Sequence, residues 1–116
     1  MRPEVAKFLV DVDKAAALVE NFTRGKSLAE YEANALLRSG VERQFIIMGE
    51  ALMQASRLDP TLSHMRPALP QIVGFRNVLV HGYAVVQDRT VWGIVENDVA
   101  RLRQEVRSPL PPATSP

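Results

Sequence analysis

Val41-Glu42-Arg43-Gln44-Phe45-Ile46-Ile47-Met48-Gly49-Glu50-Ala51-Leu52-Met53-Gln54-Ala55-Ser56-Arg57-Leu58 is the stretch that decides how this chain folds. Val41, Phe45, Met48, Leu52 and Ala55 step by three and four, the period of an α-helix. At about 100° per residue, Ile46, Ile47, Ala51, Met53 and Leu58 spread apolar surface round most of the circumference. Only a narrow stripe of Arg43, Glu50, Gln54 and Arg57 stays polar. A helix apolar nearly all round is central to its domain or lies at a subunit interface. The register reaches back to about residue 34 and holds across Ser39-Gly40, a pair that can weaken a helix locally. Glu50 borders the polar stripe beside Ile46. It is either a solvated carboxylate paired with Arg43 or Arg57, or a partly buried one that orients a cation elsewhere in the fold.

Upstream, Val5, Phe8, Leu9, Val12, Ala15, Ala16, Val19 and Phe22 mark an amphipathic helix over about 4–23. Pro3 suits its first turn, and Arg24-Gly25 suits its end. Ser27-Leu28-Ala29-Glu30 is a capping box that starts a short helix. Downstream, residues 59–67 carry two prolines and read as a loop. It holds His64, an exposed loop histidine with nothing beside it to complete a site. A third long helix is expected over 68–83. A last one spans about 88–106, capped by Asp88 or Thr90, with Trp92, Val95, Val99, Leu102 and Val106 as its packing seam. The tail from 108 to 116 has four prolines in nine residues; it cannot be helical and is expected to be disordered. No period-two pattern appears. The predicted fold is therefore all-α, an antiparallel up-and-down bundle of four main helices plus a short one, in a single domain over 1–107.

Composition sets the outer bounds. The chain of 116 residues has a net charge of +1 and no cysteine. Disulfides, thiolate metal sites and cysteine nucleophiles are excluded. A nucleic-acid partner would have to be held by a local patch or by one built from several copies. No apolar run approaches the ~18 residues of a membrane span, and the first residues lack the apolar core of a signal peptide. A soluble, cytoplasmic protein is expected.

The chemistry concentrates in Arg76-Asn77-Val78-Leu79-Val80-His81-Gly82-Tyr83. On a helical wheel Phe75, Leu79, Ile72, Tyr83, Leu69 and Val80 fall within an arc of about 140°. Arg76 lands inside this core-facing arc, while Asn77 and His81 share a different face. An arginine on a core face either snorkels out or has a fixed acidic partner; Glu50 is the best candidate. His81 before Gly82 fits a helix end, where the dipole stabilises an imidazolium. An imidazole that changes charge near neutral pH and a phosphate-shaped guanidinium on one segment also suit phosphodiester chemistry. Histidine moves the proton, and arginine stabilises charge growing on the phosphate. RNA brings its own nucleophile, the 2′-hydroxyl. One such pair is a thin site, and two copies meeting along this face would flank one groove with two Arg/His sets.

These residues resemble a known signature. Arg76-Asn77-x-x-x-His81-x-Tyr83 is similar to the R-N-x-x-x-H-x-Y motif of the HepT-like toxins, within the HEPN ribonuclease superfamily. Ile46-Ile47-Met48-Gly49-Glu50-Ala51, Ile72-Val73-Gly74-Phe75-Arg76-Asn77 and Val91-Trp92-Gly93-Ile94-Val95-Glu96-Asn97-Asp98-Val99 resemble further stretches of that family, in order along the chain. The resemblance implies a dimerising helical bundle and a metal-independent RNA endonuclease, the toxin of a toxin–antitoxin pair, with its cleft between two protomers. It implies Arg76 and His81 as catalytic residues, with Asn77 in support; Glu50 is added in support as the expected partner of Arg76. Tyr83 matches a tyrosine that an MntA-like nucleotidyltransferase antitoxin can adenylylate, the ATP being used by that partner. The toxin itself then needs no cofactor or metal. Two other readings remain open at this point. One is a non-catalytic module that docks a nucleotidyltransferase or a nucleotide. The other is a purely structural helical dimer with Arg76–Glu50 as an internal clamp.

Overall fold

A computed structural model of the chain describes residues 1–62, 68–81 and 87–110, with side chains of 68–73 excepted. Among the described residues six helices follow in order: α1 (Pro3–Thr23), α2 (Leu28–Ala33), α3 (Ala35–Leu58), α4 (Ala68–His81), α5 (Asp88–Asn97) and α6 (Val99–Arg107). Among the described residues there is no strand, and the all-α fold is as the periodicity implied. The two long helices α1 and α3 pack antiparallel. On this frame α4 lies against α3, α6 lies against α1, and α2 packs on both α3 and α5. No described helix is long and apolar enough to cross a membrane.

The local signals act as their chemistry dictates. Pro3 sits at the start of α1. Gly25 adopts φ 72° just past its end, a left-handed conformation that glycine takes without a Cβ penalty. Ser27 Oγ accepts from the Glu30 N–H at 3.1 Å and caps α2. Asn34, which periodicity alone does not flag, caps α3 by accepting from the Leu37 N–H at 3.0 Å. Helix α3 runs unbroken through Ser39-Gly40.

The core sits between α1 and α3. Val5, Leu9, Val12, Ala16 and Val19 face Val41, Phe45, Met48, Leu52 and Ala55, all at most 1% exposed. Val99, Leu102 and Val106 of α6 close it from the far side of α1. Arg103 fixes that closure, its Nε 2.7 Å from Asp13 and its Nη1 3.0 Å from Glu20. These two hydrogen bonds raise the guanidinium pKa still further above its ordinary value.

Two expectations are corrected. Phe22, placed on the core face by spacing, is 36% exposed. The helix expected over 88–106 is two helices joined at Asp98, where φ opens to −118° while ψ stays helical at −30°. Its carboxylate takes the Arg101 guanidinium at 3.1 Å, while its N–H still donates to the Ile94 carbonyl and its carbonyl accepts from the Leu102 N–H. The tail begins as a turn: the Leu110 N–H donates to the Arg107 carbonyl, and the Leu110 side chain packs on the core. Residues 111–116 lie outside the described residues.

A polar knot joins α2, α3 and α5. The Tyr31 and Trp92 rings lie 5.3 Å apart. Arg38 donates to the Glu32 and Tyr31 carbonyls and approaches Asp88 at 3.8 Å. Burial pushes the Glu42 carboxyl above its usual range, and Asp88 adds to the shift while Arg38 opposes it. Burial also raises the Tyr31 hydroxyl, with Glu42 and Asp88 in the same direction. A raised carboxyl pKa means that the fold disfavours the ionised form. The penalty is absent below the unfolded-chain value, grows as pH rises through the window up to the native value, and is complete above it. Glu42→Gln should therefore raise Tm by about 2 °C at pH 7, with the gain vanishing near pH 4. Thermal melts across that range measure it, and an unchanged or lowered Tm at pH 7 contradicts it.

Candidate active site

Helix α4 is seated on α3 through aromatic contact. The Phe75 ring meets Phe45 edge-on, centroids 5.3 Å apart at 74°. Leu79, one turn on, is 6% exposed. Arg76 follows Phe75 and is drawn partly under this contact, its side chain only 20% exposed. Val80, at the edge of the expected core arc, is 37% exposed. Among the described residues the covered arc is therefore narrower than the wheel suggested and runs through Phe75, Arg76 and Leu79.

The half-buried arginine has the partner that its position demanded. Arg76 Nη2 lies 2.8 Å from Glu50 Oε2. That oxygen is buried, and no aligned hydrogen bond reaches it among the described residues. The contact is thus a close ion pair rather than a directed hydrogen bond. Nη1 of the same guanidinium donates to Asn77 Oδ1 at 2.9 Å. Two of its three nitrogens are so held, and the buried Nε has no described partner. The sequence pointed to Glu50 through the cost of an unpaired charge on a core face. It gave no such sign for the Arg76–Asn77 bond, since consecutive helix residues do not face each other; the reach of the long guanidinium side chain closes the gap.

His81 is the last residue of α4 and is exposed. Asn77 is exposed one turn before it. The structure thus brings Glu50, Arg76 and Asn77 together and leaves His81 open to solvent at the helix end. Tyr83 and His64 lie outside the described residues. The α1 side of the neighbourhood was not legible in the sequence. A groove of about 220 Å³ beside Glu50 is lined by Phe8 and Asp11 of α1 and by Arg43, Ile47 and Gln54 of α3. Asp11 is occupied by Lys7 at 3.2 Å.

Such an arrangement can do two things. A guanidinium fixed on two sides offers a preset positive fork to an oxyanion. An exposed imidazole close along the same helix can take or give a proton. Among the described residues no three His, Asp or Glu side chains converge into a metal-ligand set.

Residues 12–108 match the family described as Ribonuclease HepT-like. A candidate RNase of Methanocaldococcus jannaschii is 31% identical over 105 residues, covering 89% of this chain and 94% of the relative. A protein of Thermococcus cleftensis named "Probable ribonuclease HepT" is 26% identical over 98 residues, covering 83% of this chain and 86% of the relative. No solved structure matches the chain significantly. With its helical frame, its held arginine and a family match over most of its length, the chain belongs to the HepT-like ribonuclease family.

Proposed function

We propose that this chain is a metal-independent endoribonuclease that works as a homodimer and serves as the toxin of a toxin–antitoxin pair. The observation that carries the reading is Arg76, held by Glu50 at 2.8 Å and Asn77 at 2.9 Å on a helix that ends in an exposed His81. The RNA 2′-hydroxyl attacks the adjacent phosphorus. The new O2′–P bond forms as the P–O5′ bond breaks, leaving a cyclic phosphate and a 5′-hydroxyl. His81 takes the 2′-hydroxyl proton, and the second copy's His81 returns one to the departing 5′ oxygen. Arg76 stabilises the charge on the phosphate oxygens. Adenylylation of Tyr83 by a nucleotidyltransferase antitoxin, with ATP as donor, adds negative charge and bulk beside the cleft and opposes binding of the RNA backbone.

Purified protein should cut RNA in the presence of a chelator, and His81→Ala should lower the rate by about 10²-fold or more. Unchanged cleavage in that variant rules out the role of His81. The Arg76–Glu50 contact also favours a second reading, a structural clamp in a binding module. Loss of folding on Arg76→Ala, with no cleavage by the wild type, is its signature.

A further inference from the structure

The turn after α1 sets two cations beside a tryptophan. Gly25, at φ 72°, reverses the chain, and the Lys26 N–H donates to the Thr23 carbonyl at 3.0 Å to close the turn. Arg24 and Lys26 flank that glycine and are exposed. They share an open groove of about 450 Å³ with Trp92, Val95 and Glu96 of α5. Such a volume is within the ~300–1,000 Å³ of sites for small ligands. The groove opens on the α6 flank of α1, where Glu20 meets Arg103, while α1 packs on α3 with its other flank. It is therefore separate from the Arg76 site.

Some polar groups of this groove are already satisfied. Thr23 Oγ1 donates to the Val19 carbonyl at 2.7 Å, and Arg103 neutralises Glu20 at 3.0 Å. Others are not. Arg24 reaches Asn21 Oδ1 at 3.2 Å and has no ion pair among the described residues. Lys26 and the exposed Glu96 have neither an ion pair nor a side-chain hydrogen bond among them. Val95 is half-buried and Trp92 only 6% exposed, so these two form an apolar floor and not a stacking platform. One wall is thus cationic, the floor is apolar, and the other wall carries a lone carboxylate. A simple anion leaves Glu96 unused, and a simple cation is repelled by the turn. A nucleotide uses all three parts. Its phosphate suits Lys26 and Arg24, and its base covers the floor. The base must then offer donors to Glu96, because an ionised carboxylate only accepts. Guanine does so best, with N1–H and the exocyclic N2–H side by side. Adenine and cytosine set an acceptor nitrogen beside their amino group, and uracil sets its one N–H between two carbonyls.

We infer that the groove between the α1–α2 turn and α5 is a guanine-nucleotide subsite, in which Lys26 and Arg24 hold a phosphate and Glu96 reads the edge of the base. Single-stranded RNA, whose unpaired bases bare that edge, is the expected source, and in this the inference rests on the proposed function. A free guanine nucleotide has the same chemistry. The subsite gives a chain of net charge +1 a local hold on RNA away from the cutting residues.

Trp92 is the chain's single tryptophan, so its indole N–H resonance reports the groove. Millimolar GMP should shift that resonance, with UMP and inorganic phosphate about tenfold weaker or more. Glu96→Gln should remove the preference for GMP, Lys26→Glu should weaken GMP and UMP alike, and Arg76→Lys should change neither. Heptamers of 2′-O-methyl ribonucleotides, which cannot be cut, separate the sources. One guanosine among uridines should bind about tenfold tighter than GMP if a strand is the ligand; a heptamer no tighter than GMP assigns the subsite to the free nucleotide. An indole signal that ignores GMP overturns the inference. So does a response to GMP no stronger than that to UMP or phosphate. A GMP response that Arg76→Lys abolishes and Glu96→Gln spares places the nucleotide at the Arg76 site and overturns it too. None of these readouts requires cleavage. A protein that cuts RNA but ignores GMP defeats this inference alone, whereas one that binds GMP here and cuts nothing defeats the proposed function alone.

Discussion

Arg76→Lys should lower RNA cleavage by about 10²-fold or more while the protein still folds. Lysine keeps the charge, so an ion pair with Glu50 survives. What it lacks is the planar fork. Arg76 uses two nitrogens in two directions, Nη2 toward Glu50 at 2.8 Å and Nη1 toward Asn77 at 2.9 Å. A single ammonium cannot be held from both sides and still present donors to a phosphate in a fixed plane. The loss should fall mainly on the chemical step, because the arginine is placed for charge that develops in the transition state. Single-turnover rates on one RNA, beside thermal melts of both proteins, measure it. A lysine variant that cuts as fast as wild type reduces Arg76 to a source of positive charge. One that no longer folds assigns the residue to the clamp instead.

The Glu50 partnership shows what a sequence can disclose about such a site. An arginine among Phe75 and Leu79 is costly unless paired, and only one nearby carboxylate sits at an apolar border of a neighbouring helix. That reasoning led to a contact across 26 residues of chain. The core of α3 was legible for a similar reason: its register leaves Phe45, Met48 and Leu52 no polar alternative. Elsewhere the pattern was silent. Periodicity gives the face of a helix but not its neighbour, so the Arg103 contacts to Asp13 and Glu20, 90 and 83 residues away, leave no local trace. Asp98 breaks a seam whose apolar spacing continues through it, since the break lies in one residue's backbone angles. Asn77 was taken from a motif, and its bond to Arg76 depends on rotamers that no spacing encodes.

Phe22 and Phe45 make the sharpest contrast, because spacing puts both on core faces. Phe45 is fully buried and meets Phe75 edge-on at 5.3 Å. Phe45→Ala removes that ring from a packed interior and should cost about 3–5 kcal/mol. For a domain whose whole stability is of order 5–15 kcal/mol, this is a drop in Tm of roughly 15 °C. The variant should also lose activity beyond its unfolded fraction. The lost ring is what seats Phe75, and Arg76 is the next residue; a seat loosened by even 1 Å misplaces the fork. Phe45→Leu, which keeps most of the volume, should cost less than about 1.5 kcal/mol and retain most of the cleavage. Phe22 is 36% exposed on the open α1/α3 face, where a Cβ added at Gly40 would meet its ring at 3.5 Å. Phe22→Ala should leave the chemical denaturation midpoint nearly unchanged, because that ring already stands partly in solvent. Chemical denaturation separates the cases: Phe45→Ala moves the midpoint to lower denaturant, and Phe22→Ala leaves it in place. If Phe45→Ala melts within a few degrees of wild type, α4 is not held by this contact, and the placement of Arg76 has another cause.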